Sequence, residues 1–213
     1  EDLSQQVWTR LAPVIVPVVQ INETSHGILH PTEMIGRWKP YAINPHWRIC
    51  CYPGKGHFGP HRDGDYVIDE HHRSLFTING YLTDRPPWSG GATRFLRDQV
   101  EVYVTDQGIF GTHEDTILHR VESDRAGKAV VFLHGLMHDG EPLREGSTPK
   151  WLFRTDVLFE RDPTTAPTRS SQQIEARQLL KKAETAEEQG HISEAIRLYN
   201  QAYRLDQTLE KHN

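Results

Sequence analysis

The sequence predicts a mainly β chain: a double-sheet jelly roll with an N-terminal helix and a C-terminal α-helical hairpin. Three observations predict it. Short segments of β-type residues recur between Trp47 and Phe159, separated by Gly- and Pro-bearing turns with little helix between them. Near Asp162 the composition changes to the polar run Pro163-Thr164-Thr165-Ala166-Pro167-Thr168-Arg169-Ser170-Ser171, which has no core-forming pattern. From Gln173 to about Asp206 the chain is then rich in Ala, Leu, Glu, Gln and Lys, all good helix formers. The expected division is a β domain over 1–162, a linker over 163–172 and a helical hairpin over 173–213.

In chain order, residues 1–10 read as a helix, with Leu3, Val7 and Leu11 on one face. A loop-rich segment follows, and Met34 to Pro40 reads as a turn into an exposed approach. Trp47 to Tyr52 reads as a strand closed by Pro53-Gly54-Lys55-Gly56. Ser74 to Leu82 is the next strand, with Thr77, Asn79 and Tyr81 on one face and Phe76 and Ile78 on the other. Asp84 to Gly91 is a turn, and Ala92 to Leu96 returns as a short strand. Val100 to Val104 and Gly108 to Val121 hold further strands and turns, and Ala129 to Leu133 and Lys150 to Phe159 are the last two strands. In the tail, Ala183, Ala186 and Gly190, then Ala195, Ile196, Tyr199 and Ala202, form two stripes around Gly190-His191. That spacing resembles one tetratricopeptide repeat, a helix–turn–helix unit that cannot bury its own face and needs the β domain, a protein partner or further repeats; a simple helical hairpin docked on the β domain is the alternative.

The bulk properties exclude several classes. A net charge of −5 over 213 residues leaves no electrostatic footprint for nucleic acid. The only cysteines, Cys50 and Cys51, are adjacent, so no disulfide framework is expected, and an intracellular, cytoplasmic setting fits. No apolar run approaches the roughly 18 to 20 residues that span a bilayer. The chain begins at Glu1, as an excised fragment or a processed form would.

The chemistry concentrates in Gly59-Pro60-His61-Arg62-Asp63-Gly64-Asp65. On an extended backbone, His61 and Asp63 point to the same face and can present an imidazole nitrogen and a carboxylate oxygen to one metal ion. A third ligand must come from further along. His138, after the apolar run Ala129 to Leu133, is the best candidate; His134, four residues earlier, is the alternative if the register is misjudged. Two histidines and one carboxylate make the facial triad of non-haem Fe(II) oxygenases. On the last strand Lys150, Leu152 and Arg154 share a face, giving two cations to pair with a dicarboxylic acid. Thr77, Asn79 and Tyr81 offer hydroxyl and amide groups to complete such a pocket. Arg94 is suited to a substrate carboxylate or a neighbouring Asp. The loops Asp65 to Arg73 and Asp84 to Ser89 are expected to border the opening.

The ordered set Cys51-Tyr52-Pro53-Gly54, His61-Arg62-Asp63, Tyr81-Leu82, Gly90-Gly91-Ala92-Thr93-Arg94-Phe95, Gly127 to Phe132, His138-Asp139-Gly140 and Gly146 to Trp151 resembles the prolyl 4-hydroxylase-like Fe(II)/2-oxoglutarate dioxygenases, over roughly residues 33 to 160. The resemblance implies a double-stranded β-helix core and iron held by His61, Asp63 and His138. It also implies 2-oxoglutarate and O2 as co-substrates, with ascorbate a candidate reductant. Lys150 matches the slot for the cation that meets the distal carboxylate of 2-oxoglutarate, although Ser147-Thr148-Pro149 lengthens the spacing from His138; Arg154 competes for the role. Tyr81 and Tyr52 look like the pocket tyrosines. The implied reaction is hydroxylation of a small-molecule or peptidyl substrate with oxidative decarboxylation of 2-oxoglutarate to succinate and CO2. Oxidative demethylation on the same iron, a catalytically silent metal-binding adaptor acting through the helical tail, and a zinc or manganese cupin-like protein are the competing readings.

Overall fold

A computed structural model gives the structure of the chain and describes residues 2–104 and 110–212. It divides into two compact units, residues 1–166 and 167–213. The first opens with helix α1 (Leu3–Leu11). Twelve strands follow among the described residues: β1 (Val19–Ile21), β2 (Gly36–Ile43), β3 (Arg48–Tyr52), β4 (Phe58–His61), β5 (His72–Tyr81), β6 (Thr93–Leu96), β7 (Val102–Val104), β8 (Phe110–Thr112), β9 (Ile117–Val121), β10 (Ala129–Leu133), β11 (His138–Gly140) and β12 (Lys150–Arg161). The larger sheet runs β1-β2-β12-β5-β10, with β3 also paired to β12; the smaller runs β4-β11-β6-β9, and β7 pairs with β8 as a separate ribbon. These pairings are antiparallel, and neighbours in each sheet are mostly distant in sequence, as a jelly-roll-like arrangement requires.

The core lies on one side of the larger sheet. Ile21, Trp38, Ile43, Leu75, Ile78, Val157 and Phe159 are buried together there. Helix α1 covers this cluster, but not through the expected stripe. Leu3 is exposed, while Val7, Trp8 and Leu11 pack on the core and Ser4 accepts a 3.0 Å hydrogen bond from Trp47 Nε1. The buried face is therefore Ser4–Val7–Trp8–Leu11, an i, i+3, i+4, i+7 pattern that includes the indole.

The segment Met34 to Pro40, expected as an exposed turn, is a correction: most of it belongs to β2, which pairs with β1 and β12. Trp38 is fully buried, its Nε1 donating to Met34 O at 2.7 Å and its ring lying 5.1 Å from the Arg161 guanidinium. The alternation of buried Gly36 and Trp38 with exposed Arg37 and Lys39 is the strand signal that Pro40 obscured. Gly108 and Ile109, at the start of a segment expected to hold strands, lie outside the described residues, as do Glu1 and Asn213.

In the second unit, Ser170 and Gln173 form a reciprocal capping box, so helix α2 (Ser171–Glu188) begins two residues before Gln173. Helix α3 (Ile192–Leu205) packs on it through Ala183, Ala186, Ala195 and Leu198. Ile196, expected on the buried stripe, is exposed, and Leu198 takes the place assigned to it. No helix among the described residues is long and apolar enough to cross a membrane.

Candidate metal centre

Strands β4 and β11 are neighbours in the smaller sheet, and their register sets His61 directly opposite His138. Asp63, just past the end of β4, is held by its backbone N–H, which donates to His134 O at 2.9 Å. Nitrogen atoms of the two rings and an oxygen of the carboxylate lie within 4.8 Å of one another, the one such His, Cys, Asp or Glu cluster among the described residues. His61 Nε2 is 3.5 Å from Asp63 Oδ1, and His138 Nε2 is 3.6 Å from Asp63 Oδ2.

The tautomers follow from the backbone. His61 Nδ1 is 2.8 Å from Gly59 O, and His138 Nδ1 is 2.9 Å from Leu136 O. A carbonyl only accepts, so each Nδ1 carries a proton and each Nε2 is the ring atom left facing Asp63. That is how metal-binding imidazoles are oriented. Burial pushes the His138 pKa down, favouring the neutral ligand form. Burial also pushes the Asp63 carboxyl up, but the His61 and His138 rings, the Thr77 hydroxyl and the Arg154 guanidinium together bring it down to about 2. Two imidazoles presenting Nε2 and an ionised carboxylate converging at one place fit a divalent ion of the iron(II) type.

A hydrogen-bonded chain stands behind the carboxylate. Thr77 Oγ1 donates to Asp63 Oδ2 at 2.6 Å, so it accepts from His134 Nδ1 at 2.8 Å. His134 Nε2 then accepts from Ser74 Oγ at 2.8 Å, and Ser74 Oγ accepts from the Tyr66 N–H at 2.7 Å. Both nitrogens of His134 are thus engaged and burial favours its neutral form, so His134 steadies the site and has no lone pair left for the metal.

A cavity of about 160 Å³ opens over the cluster, lined in part by Tyr52, Asn79, Lys150, Leu152 and Arg154. Lys150, Leu152 and Arg154 all reach it because alternate residues of β12 share a face. Lys150 is buried at its far end, with Nζ donating to Gly91 O at 2.5 Å and lying 5.5 Å from the Tyr52 ring centre and 5.2 Å from that of Tyr81. No carboxylate pairs with it among the described residues, and burial pushes its pKa down to about 8. Arg154, by contrast, holds Asp63 Oδ1 at 2.9 Å. Four residues of strand separate the two cations, about 13 Å along β12.

Tyr81 does not line the cavity with its hydroxyl, which bonds Thr93 Oγ1 at 2.8 Å; it contributes the ring beneath Lys150. Thr77 likewise lies behind Asp63. Arg94, whose role was open between substrate and a neighbouring Asp, grips Asp139 through Nε at 2.7 Å and through a second nitrogen at 2.5 Å. It thereby fixes the residue after His138. Sequence reasoning passed over Arg48, Phe58 and Asp139, which also line the cavity. Arg48 is the cross-strand partner of Arg154, a relation that only the register reveals.

Comparison with protein-family models finds no match, and comparison with curated proteins finds none. Among solved structures, the chain is similar to the viral collagen prolyl hydroxylase of Paramecium Bursaria Chlorella virus-1 in its 2OG complex, at 15% identity and a TM-score of 0.34. The match covers 58% of this chain and 60% of that one. A truncated form of the same enzyme matches at 11% identity and a TM-score of 0.41, over 76% and 70% of the two chains. A Pseudomonas putida prolyl-4-hydroxylase matches at 17% identity and a TM-score of 0.33, over 74% and 78%. These likenesses are distant, and the chemistry of the site is read from its own residues.

Proposed function

We propose that the chain is an Fe(II)- and 2-oxoglutarate-dependent dioxygenase, built on a double-stranded β-helix, that hydroxylates an organic or peptidyl substrate. The observation that carries this reading is the convergence of His61 Nε2, His138 Nε2 and the Asp63 carboxylate, with both Nδ1 atoms tied to backbone carbonyls. When bound, iron supplies O2 activation coupled to oxidative decarboxylation of 2-oxoglutarate to succinate and CO2. His61, Asp63 and His138 hold the ion, leaving positions for the keto acid and O2. Of the two candidate anchors for the distal carboxylate, Lys150 fits better, since Arg154 is already engaged by Asp63 while Lys150 is a buried cation without a paired anion among the described residues. The Tyr52 and Tyr81 rings and Leu152 keep that end dry, and Asn79, opposite Arg154 across the strands, offers an amide to the cavity.

The test is succinate formation from 2-oxoglutarate by the purified chain. Iron-dependent turnover is expected in wild type and its loss in Asp63→Ala. With Lys150→Ala, the 2-oxoglutarate requirement should rise roughly tenfold to a hundredfold, the range for a lost charge-assisted hydrogen bond. No succinate from the iron-loaded wild type, with or without candidate substrates, would count against the reading.

A further inference from the structure

A second cavity, of about 540 Å³, adjoins the metal centre, with Arg48 and Arg154 forming walls common to both. Its other walls include Asp65, Asp156 and the rings of His46 and Tyr66, whose centres are 5.3 Å apart. Of its four charged side chains, two are already paired: Arg154 with Asp63 at 2.9 Å, and Asp65 with Arg73 at 3.0 Å. Two are not. The Arg48 side chain has no hydrogen bond or ion pair among the described residues, and Asp156 accepts from Asn44 Nδ2 at 2.9 Å but meets no cation. Arg48 lies across from Arg154 on β3, and Asp156 is two residues beyond Arg154 on β12, on the same face. Arg48 and Asp156 are therefore diagonal neighbours across the β3–β12 pair, about 7–8 Å apart at the backbone. Tyr66, partly exposed, gives the space between them an apolar side.

We infer that this cavity binds the substrate of the oxygenase site, and that the substrate is a small zwitterion. Its carboxylate meets Arg48, its ammonium meets Asp156, and a short alkyl chain lies against Tyr66. The assignment of this ligand as substrate rests on the dioxygenase reading; its binding does not. A free amino acid with a terminal amine carries both charges on one short chain, as a cationic and an anionic wall side chain in one cavity require. An internal residue of a peptide offers a neutral carbonyl to Arg48 and leaves that cation unmatched.

The test is calorimetric titration of the full chain with 5-aminopentanoate, pentanoate and pentylamine. The zwitterion is expected to bind roughly tenfold or more tightly than either singly charged probe, since each end adds a charge-assisted contact. Arg48→Gln should reduce its affinity to that of pentylamine. Asp156→Asn, which keeps an oxygen for Asn44, should reduce it to that of pentanoate. Equal affinity for all three probes, no binding of the zwitterion, or insensitivity to both variants would overturn the inference. An iron(II) titration with 2-oxoglutarate on the same preparation separates the two failures. Chelation without zwitterion binding sinks this inference alone, and zwitterion binding without chelation sinks the dioxygenase reading alone.

Discussion

Thr77 stands between Asp63 and His134 and spends its single proton on the carboxylate. Thr77→Val removes that donor and leaves the His134 Nδ1–H without an acceptor. Metal affinity should fall about tenfold to a hundredfold, as for other lost ligand supports, with a stability loss of about 1–3 kcal/mol. Iron(II) titration and urea unfolding measure the two effects. Lys150 gives a prediction in pH. Its folded pKa of about 8 lies below the ordinary 10.5, so between those values the unfolded chain holds a proton that the folded chain has released. Apo stability should therefore rise from pH 8 to 10.5, by on the order of 3 kcal/mol from this group. The affinity for 2-oxoglutarate should move the other way, full below pH 8 and falling about tenfold per unit above it, because the dianion needs the ammonium. Unfolding and binding at several pH values check both, and both trends should vanish in Lys150→Met. His61, Asp63 and His138 were legible in the sequence because their types and order reflect metal chemistry. The relay through Thr77 and His134 was not, since it joins residues 57 positions apart whose approach depends on the pairing of β5 with β10.

The strands that carry the site are placed by packing behind it. Gly80 lies opposite Phe153, and a Cβ there would overlap the Phe153 ring. Gly80→Ala should destabilise the chain by roughly 1–3 kcal/mol through overpacking. Because Thr77, Asn79 and Tyr81 ride on the same strand, iron affinity should fall with it, as parallel unfolding and metal titrations can show. Strands such as β5, β10 and β12 were readable from alternation and β-branched content. β2 was not, because Pro40 and its neighbouring Gly and Lys suggest a turn, while pairing with β12 and burial of Trp38 override that local signal. Strands β4 and β11, only 4 and 3 residues long, are too short for periodicity to declare, yet they hold two of the three proposed ligands.

The chain as a whole separates its proposed chemistry from its helical tail. Residues 1–166 contain the three proposed metal ligands, Lys150 and the larger apolar core, whereas residues 167–213 have clusters of their own built on small side chains such as Ala183, Ala195 and Ala202. A chain ending at residue 166 is expected to bind iron(II) with the same stoichiometry and affinity as the full chain, which equilibrium titration of both will show. The composition changes near Asp162, and the two units divide between residues 166 and 167. The offset was not legible in the sequence, since Thr165 folds back to accept from Arg37 N at 2.8 Å. The central claim is that His61, Asp63 and His138 bind iron(II) and let it chelate 2-oxoglutarate. It is tested most directly by anaerobic iron(II) titration with and without the keto acid, read as the weak visible charge-transfer band of the chelate. The band should appear in wild type only when both are present and disappear in Asp63→Ala. Bound iron with no band in wild type would contradict the account and leave a metal-binding β fold without this co-substrate.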